Sequence, residues 1–490
     1  MELQVDTSVR PETEGMIELF ETVVQGGYCI GCGACAAVKD SPIQIRLDSY
    51  GRYQATLPES QPTEVASDPS KVCPFSDRVP NENEIGAELF GAAGVFDEHL
   101  GYHAGTYIGY VAEGDYRALG SSGGVGKWIL CELLREGLVD AVIQVLPISP
   151  EDMYDDADQV VYRFKVARTI DEAMGGSKSV YYPVEMSEVL AYVRENPGRY
   201  AITAVPCFAK ALRLLSRQDP VFAERITYVV GVICGHLKST RYAEMMAWQF
   251  GIEPGTLQSI DFRKKLPGAT AKQKGVAVTG KRDDTFVSAE DIVQNLFGTD
   301  YNHGFFQYRA CDYCDDVVGE TADISIGDAW LPEYMSDGRG TSVIVVRNST
   351  IKSVIERARE EGRLELTPVN AQQVIKSQEG GFRQRREGLA YRLYLADRTG
   401  MWRPQKRVVP KANHLERTRK KIYRMRILMS EQSHVSFQRA LEARDFSLFK
   451  SEMEALLRAY QELYRFPIWS GQRIKRAMQR RLQKVARMLA

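Results

Sequence analysis

No run of about 18 apolar residues occurs in this chain, so no helix is expected to span a membrane. The amino-terminal Met1-Glu2-Leu3-Gln4-Val5-Asp6 carries acid early and has no apolar stretch behind it, which argues against a secretory signal. Histidine is scarce: six in 490 residues, none before His99. A Cys2His2 zinc site therefore lacks its imidazoles wherever the early cysteines fall. No Ser–His–Asp or Cys–His arrangement can be assigned, which leaves nucleophilic hydrolysis without a candidate. No basic stretch is interleaved with aromatics and no nucleic-acid fold signature occurs, so nucleic acid is not an expected partner.

What is present is a globular composition, 44% apolar and 26% charged. A chain this long exceeds one ordinary core, and two or three domains are expected. The net charge of −1 hides an asymmetry. From Met401 to Ala490 there are 22 Lys+Arg against 7 Asp+Glu, or +15, while the preceding 400 residues carry 41 against 57, or −16. An acidic body with a basic tail implies different partners for the two parts.

Three thiols are packed into Cys29-Ile30-Gly31-Cys32-Gly33-Ala34-Cys35. Such a loop wraps one corner of a cuboidal iron–sulfur cluster and offers thiolates to three irons. Gly31 and Gly33 allow positive φ and turn backbone N–H groups towards sulfur. The candidate fourth ligand is Cys73, followed by Pro74 as in bacterial ferredoxin runs, although 37 residues intervene. Zinc is the alternative reading, but structural zinc sites pair one C-x2-C with another or with histidines. A disulfide framework suits small secreted domains rather than this chain, and the cytoplasm is the default compartment for reduced thiols.

Along the chain, Thr13 to Gln25 has helical apolar spacing, and Ile43 to Leu57 alternates like a hairpin around Ser49-Tyr50-Gly51. Asn81 to Gly86 reads as a linking stretch that ends the module near residue 95. A strand over Tyr107–Ala112 leads to Ser121-Ser122-Gly123-Gly124 and a helix from about Lys127 to Arg135. Small residues at a helix amino terminus form an anion site, although this is not the G-x-G-x-x-G fingerprint. The alternative is an ordinary tight turn. Cys131, on the apolar face of that helix, reads as a core thiol. Val139–Leu146 is a buried-strand candidate, and Glu151, Asp152, Asp155, Asp156 and Asp158 form a solvated acidic loop. Gly175-Gly176-Ser177-Lys178 is a second small-residue turn, whose lysine either meets a phosphate or flavin or is simply exposed.

Strands over Tyr200–Val205 and Ile226–Ile233 deliver Cys207 and Cys234 to their carboxyl ends, which fits a parallel α/β sheet with ligands at that edge. Cys311-Asp312-Tyr313-Cys314 precedes another strand, Ala322–Ile326, and further elements follow at Thr341–Val346 and Ile351–Glu361. These four cysteines surround a second cluster, hold zinc, or are separate core thiols. The last helix, Arg473 to Leu489, is apolar on one face and basic on the other. It either packs on protein or lies on an anionic membrane surface.

Taken in order, several segments give the chain its likeness: Cys29–Cys35, Ser121–Gly124, Gly176-Ser177-Lys178, Pro206-Cys207, Cys234-Gly235, Phe262-Arg263-Lys264-Lys265, and Cys311-x2-Cys314 running into Ala322–Asp328. With these the chain resembles the coenzyme F420 hydrogenase/dehydrogenase β-subunit family, which includes ferredoxin-dependent 7-hydroxymethyl chlorophyll a reductases. The resemblance implies an α/β fold (α+β overall), and the chain as a whole reads in three parts. These are a ferredoxin-like [4Fe–4S] module over 1–95, an FAD-binding α/β domain over 96–370, and a basic, mainly helical extension over 371–490. It implies a second [4Fe–4S] cluster on Cys207, Cys234, Cys311 and Cys314. It places FAD against Ser121, Ser122, Gly123, Gly124, Gly176, Ser177 and Lys178, with Lys178 and Arg263 as the catalytic cations near the flavin.

The implied activity is an oxidoreductase passing electrons between ferredoxin, or a partner subunit, and an organic acceptor. Clusters carry single electrons and a flavin converts them to hydride chemistry. The alternative within the family is hydride exchange with coenzyme F420. An alternative of another class is a non-enzymatic carrier or zinc-stabilised scaffold. Bacterial relatives suggest a small-molecule or surface-polysaccharide substrate; the reduced thiols give a cytoplasmic location, and the basic amphipathic tail offers a face for peripheral membrane contact. Two departures from the family stand out: the remote fourth ligand and the extra tail.

Overall fold

The computed structural model describes residues 11–58, 65, 67–92, 94–149, 160–176 and 178–465. The acidic run at 151–158, Ser177 and the amphipathic stretch 473–489 lie outside the described residues.

The first helix, Pro11–Leu19, widens into one π turn, Phe20–Val24, and stops at Gly26-Gly27. Met16, Leu19 and Val23 are buried on its inner face, as the apolar spacing predicts. The hairpin pairs β1 (Gln44–Leu47) with β2 (Tyr53–Thr56) in antiparallel register. The predicted linking stretch at 81–86 is instead the start of a helix, Glu82–Phe90. Asn81 accepts the backbone N–H groups of Asn83 and Glu84, and the Glu84 carboxylate accepts the Asn81 N–H. This reciprocal cap nucleates a helix in a segment whose polarity reads as loop. A short hairpin, β3 (Val95–Asp97) with β4 (Gly101–His103), follows.

The centre is an eight-stranded sheet. In chain order its strands are β5 (Gly105–Val111), β6 (Ala141–Pro147), β7 (Tyr162–Ala167), β8 (Tyr200–Ala204) and β9 (Ile226–Val232). After β10 (Leu257–Lys264), β11 (Gly275–Arg282) and β12 (Thr285–Ile292), which form a separate antiparallel meander, come β13 (Ile324–Asp328), β14 (Ser342–Val346) and β15 (Leu364–Pro368). The spatial order is β15-β5-β14-β13-β9-β8-β6-β7. The four central strands β13, β9, β8 and β6 are parallel, and the flanks are antiparallel. Runs such as Ser342–Val346, buried at every position, are the sequence mark of a strand covered on both faces.

The thiol-rich amino-terminal segment shares its core with this sheet: Ile30, Ala34 and Val72 belong to the same buried cluster as Ile143, Ile202 and Leu212. The extension is equally integrated. Helices Arg417–Ala443 and Phe446–Arg465 bury Ile422, Phe437 and Phe449 against Met246, Phe262 and Val278. Among the described residues no helix is long and apolar enough to cross a membrane.

Candidate functional site

The early cysteines sit on a loop bent by two glycines in the left-handed region, Gly31 at φ +61 and Gly33 at φ +88. A Cβ added to Gly31 would lie 2.3 Å from the Tyr53 carbonyl oxygen, so the close approach of the hairpin also demands glycine. The bend directs amides at sulfur. The N–H groups of Gly31 and Ala55 each lie 3.4 Å from Cys29 Sγ, and Ala34 and Ala36 donate to Cys32 and Cys35. Cys73 follows a 3-10 turn, Pro69–Val72, capped by the Asp68 carboxylate, and receives the N–H groups of Phe75 and Ser76. Despite its distance in sequence, Cys73 reaches the other three: Cys32 and Cys35 both feel its charge. Burial is the first cause that pushes all four thiols above their usual range, with Cys73 raised to about 12.

The second set gathers at the carboxyl edge of the parallel strands. Cys207 and Cys234 follow β8 and β9, whose neighbour β13 ends at the same edge. Cys311 lies in the 3-10 turn Arg309–Tyr313, and Cys314 follows it. The Leu237 N–H lies 3.1 Å from Cys311 Sγ, and the Arg385 guanidinium 3.2 Å from Cys314 Sγ. Burial raises the Cys207 thiol well above its usual range, and Cys314, Cys234, Cys311 and Cys32 add to the shift. Cys207 thus stands within electrostatic reach of both sets. Among the described residues no group of three or more His, Cys, Asp or Glu is placed to hold a single metal ion. One tetrahedral zinc needs all its sulfurs about 2.3 Å from one point. A four-iron cluster spreads its four thiolates over four irons. Two sets of four thiols, buried or half-buried and most of them met by N–H donors, fit that larger group.

From the second set a chain of rings leads away. His236 stacks on Tyr301 with centroids 3.8 Å apart, and Tyr301 lies 5.5 Å from Tyr181. The Lys238 ammonium sits over the Tyr301 and Tyr242 rings and is held down to about 7, chiefly by burial. Arg263 reaches Tyr181 Oη at 3.2 Å and grips Asp328 with both terminal nitrogens, at 3.1 and 3.0 Å. Lys274 joins Asp328 at 3.1 Å. Burial alone would raise the Tyr181 pKa, but Lys274 and Arg263 outweigh it and bring the phenol below its ordinary value. Ser121, Arg263, Lys265, Lys274, Asp328 and Trp330 line a pocket of about 40 Å³.

The loop expected to hold phosphate is satisfied within the protein. Ser121 Oγ accepts the Ser179 N–H at 2.6 Å, Ser122 Oγ donates to the Thr341 carbonyl at 2.7 Å, and the Gly123 N–H donates to Ser342 Oγ at 3.1 Å. Gly124 caps the helix Val125–Arg135 at φ +85. Lys178 pairs with Asp261 at 2.8 Å. Gly176 packs so tightly that an added Cβ would lie 2.0 Å from Gln144 Oε1. The arrangement brings Ser121, Arg263 and the Lys178–Asp261 pair together, since Asp261 also accepts the Arg263 N–H at 2.9 Å. Phosphate binding there requires these partners to be exchanged. Sequence reasoning gave no role to Tyr181, Lys274, Asp328 or Arg385. Asp328 alone carried a signal, at the end of the strand motif.

Two family models match this chain, and both describe the beta subunit of coenzyme F420 hydrogenase/dehydrogenase. The model of its amino-terminal part covers residues 106–191, and the model of its carboxyl-terminal part covers 198–372. Together they take in the pocket and the second cysteine set. The chain belongs to the coenzyme F420 hydrogenase/dehydrogenase β-subunit family, a family of oxidoreductases. It is 24% identical over 281 residues to the coenzyme F420 hydrogenase subunit beta of Methanothermobacter thermautotrophicus, covering 54% of this chain and 86% of that protein. It is also 24% identical over 377 residues to an uncharacterised protein of Methanocaldococcus jannaschii, covering 69% and 89%. A chain from the F420-reducing [NiFe] hydrogenase complex of Methanosarcina barkeri aligns with a TM-score of 0.43 and 16% identity, over 59% of this chain and 92% of that one.

Proposed function

We propose that this protein exchanges a hydride with coenzyme F420 and trades the electrons with a redox partner through two [4Fe–4S] clusters. The observation that carries this reading is the alignment of features along one path: the four early thiols, then Cys207 with Cys234, Cys311 and Cys314, then His236, Tyr301, Tyr181 and the Arg263–Asp328 pocket. The relatives named for F420 support it over a stand-alone ferredoxin-dependent reductase. Cys29, Cys32, Cys35 and Cys73 would hold the first cluster, and Cys207, Cys234, Cys311 and Cys314 the second. Bound clusters supply one-electron transfer, and a flavin at the Ser121 loop supplies the conversion to hydride chemistry.

The chain's own residues define the rest. Raised thiol pKa values mean that cluster binding releases protons, because the ligands must be thiolates. Arg263 and Lys274 keep the pocket positive against a developing anion, with Asp328 fixing their direction. Tyr181, its pKa lowered between those cations, holds a proton at Oη that can move to or from the acceptor.

Metal, flavin and turnover analysis of anaerobically purified protein tests the proposal. About eight irons per chain, one released flavin and F420 reduction by a chemical donor are expected, with about half the iron lost in Cys29→Ser or Cys234→Ser. Ferredoxin oxidation coupled to another acceptor, with no use of F420, would replace this reading by the reductase one. Zinc without flavin would overturn both.

A further inference from the structure

Thirteen residues beyond the family match, the extension returns to the second thiol set. Helix Glu379–Arg383 opens into a single π turn, Gln384–Gly388, before Leu389–Asp397 continues. Such turns re-aim one side chain out of the regular helical sequence and are frequent at functional sites. Here the side chain is Arg385, which is 2% exposed. Its guanidinium donates to Cys314 Sγ at 3.2 Å, to the Gly235 carbonyl at 2.5 Å and to the Asp316 carbonyl.

Arg385 differs from the other arginines around it. Arg383 pairs with Glu379, Arg386 with Glu320 and Arg392 with Asp312. Among the described residues no carboxylate lies within ion-pair distance of Arg385. A fully buried guanidinium without a carboxylate is costly unless another negative charge faces it. The side-chain group in direct contact with it is a sulfur, Cys314 Sγ, and the negative charges that favour its cation are Cys314, Cys234 and Cys311 first, with the Asp316 carboxylate after them. As free thiols these sulfurs are neutral and leave the cation only the more weakly acting Asp316. As ligands they are thiolates and compensate it.

We propose that Arg385 is a positioning residue that makes the cluster held by Cys207, Cys234, Cys311 and Cys314 easier to reduce. The inference rests on the reading that a cluster binds there. Reduction adds one electron and one negative charge to the group. A cation donating to a ligand sulfur in a dry site favours the state with the greater negative charge. The lever sits outside the matched family region, so the extension adjusts the potential of a site whose ligands lie within it.

The test is a redox titration of the full chain, purified anaerobically and followed by electron paramagnetic resonance, on wild type, R385Q, R385K and R383Q. At a fixed potential the reduced-to-oxidised ratio of the second cluster should fall at least tenfold in R385Q, a midpoint lower by about 59 mV for a one-electron couple. R385K retains the charge and should stay within about threefold of wild type, and exposed R383Q should not differ. The first cluster should be unmoved in all three variants. Two cluster signals in wild type with no shift in R385Q overturn the proposal while leaving the cluster assignment intact. Failure of both Arg385 variants to load iron also overturns it, and makes Arg385 a packing residue. Absence of the second signal from wild type removes the cluster assignment itself.

Discussion

His434 lies in a pocket that disfavours its charged form. Its Nδ1 meets the Ser430 carbonyl at 3.0 Å, its Nε2 has no hydrogen-bond partner among the described residues, and the rings of Tyr50 and Phe306 lie 5.7 and 5.6 Å away. Burial first, then the Arg52 charge, lowers its pKa to about 3. The unfolded chain binds this proton below about pH 6.5 while the folded chain does not, so stability falls as pH drops from there towards 3. The slope is about 1.4 kcal/mol per pH unit over that window, and His434→Leu should flatten it in urea unfolding compared between pH 7 and 5. At this scale the sequence was readable where a residue type is rare or sits in a short motif, as for Cys29, Cys32 and Cys35. It was silent where function depends on distant approach. Nothing around Tyr181 announces Lys274 and Arg263, and no local pattern separates Arg385 from Arg383.

Element by element, apolar period and capping chemistry account for what could be read. The strands ending at Cys207 and Cys234 are continuous β-branched or apolar runs closed by proline or glycine, and they form adjacent parallel strands. The helix Glu82–Phe90 was missed although its signal was present, because Asn81-x-x-Glu84 is a capping pair hidden in a polar stretch. Asn81→Ala removes the acceptor for two helix N–H groups and should cost about 1 kcal/mol, measured as a lower urea midpoint with unchanged slope. The meander β10–β12 escaped notice because one of its faces is solvated and its strands carry lysine, arginine and aspartate. The direction of the Ser121–Gly124 loop was legible. That its hydroxyls and amides bond to Ser179, Thr341 and Ser342 was not, since these partners lie far along the chain.

For the whole molecule, the excess of acid in the body and of base in the tail is partly resolved within the chain. Arg407 donates to Glu320 at 2.6 and 2.9 Å, to Asp315 at 3.1 Å and to Asn83 at 2.7 Å, tying the extension to the helix Glu82–Phe90 and to the segment after Cys314. Lys406 adds a cation over the Phe75 ring and offsets a small part of the rise that burial imposes on Cys73 and Cys314. Arg407→Met leaves Glu320 buried without its main partner and Asp315 with Lys406 alone of the two cations, and should destabilise the fold by about 3–5 kcal/mol in chemical denaturation. The thiol loops, the sheet and the extension share buried clusters. The return of Arg385 to Gly235 and Cys314 has a consequence during synthesis. A ribosome adding about 5–20 residues per second exposes Cys207 and Cys234 on the order of ten seconds before Cys314, and later still Arg385, has been made. The nascent chain therefore carries half of the second thiol set unpartnered through that interval, and iron delivered before release would find an incomplete nest.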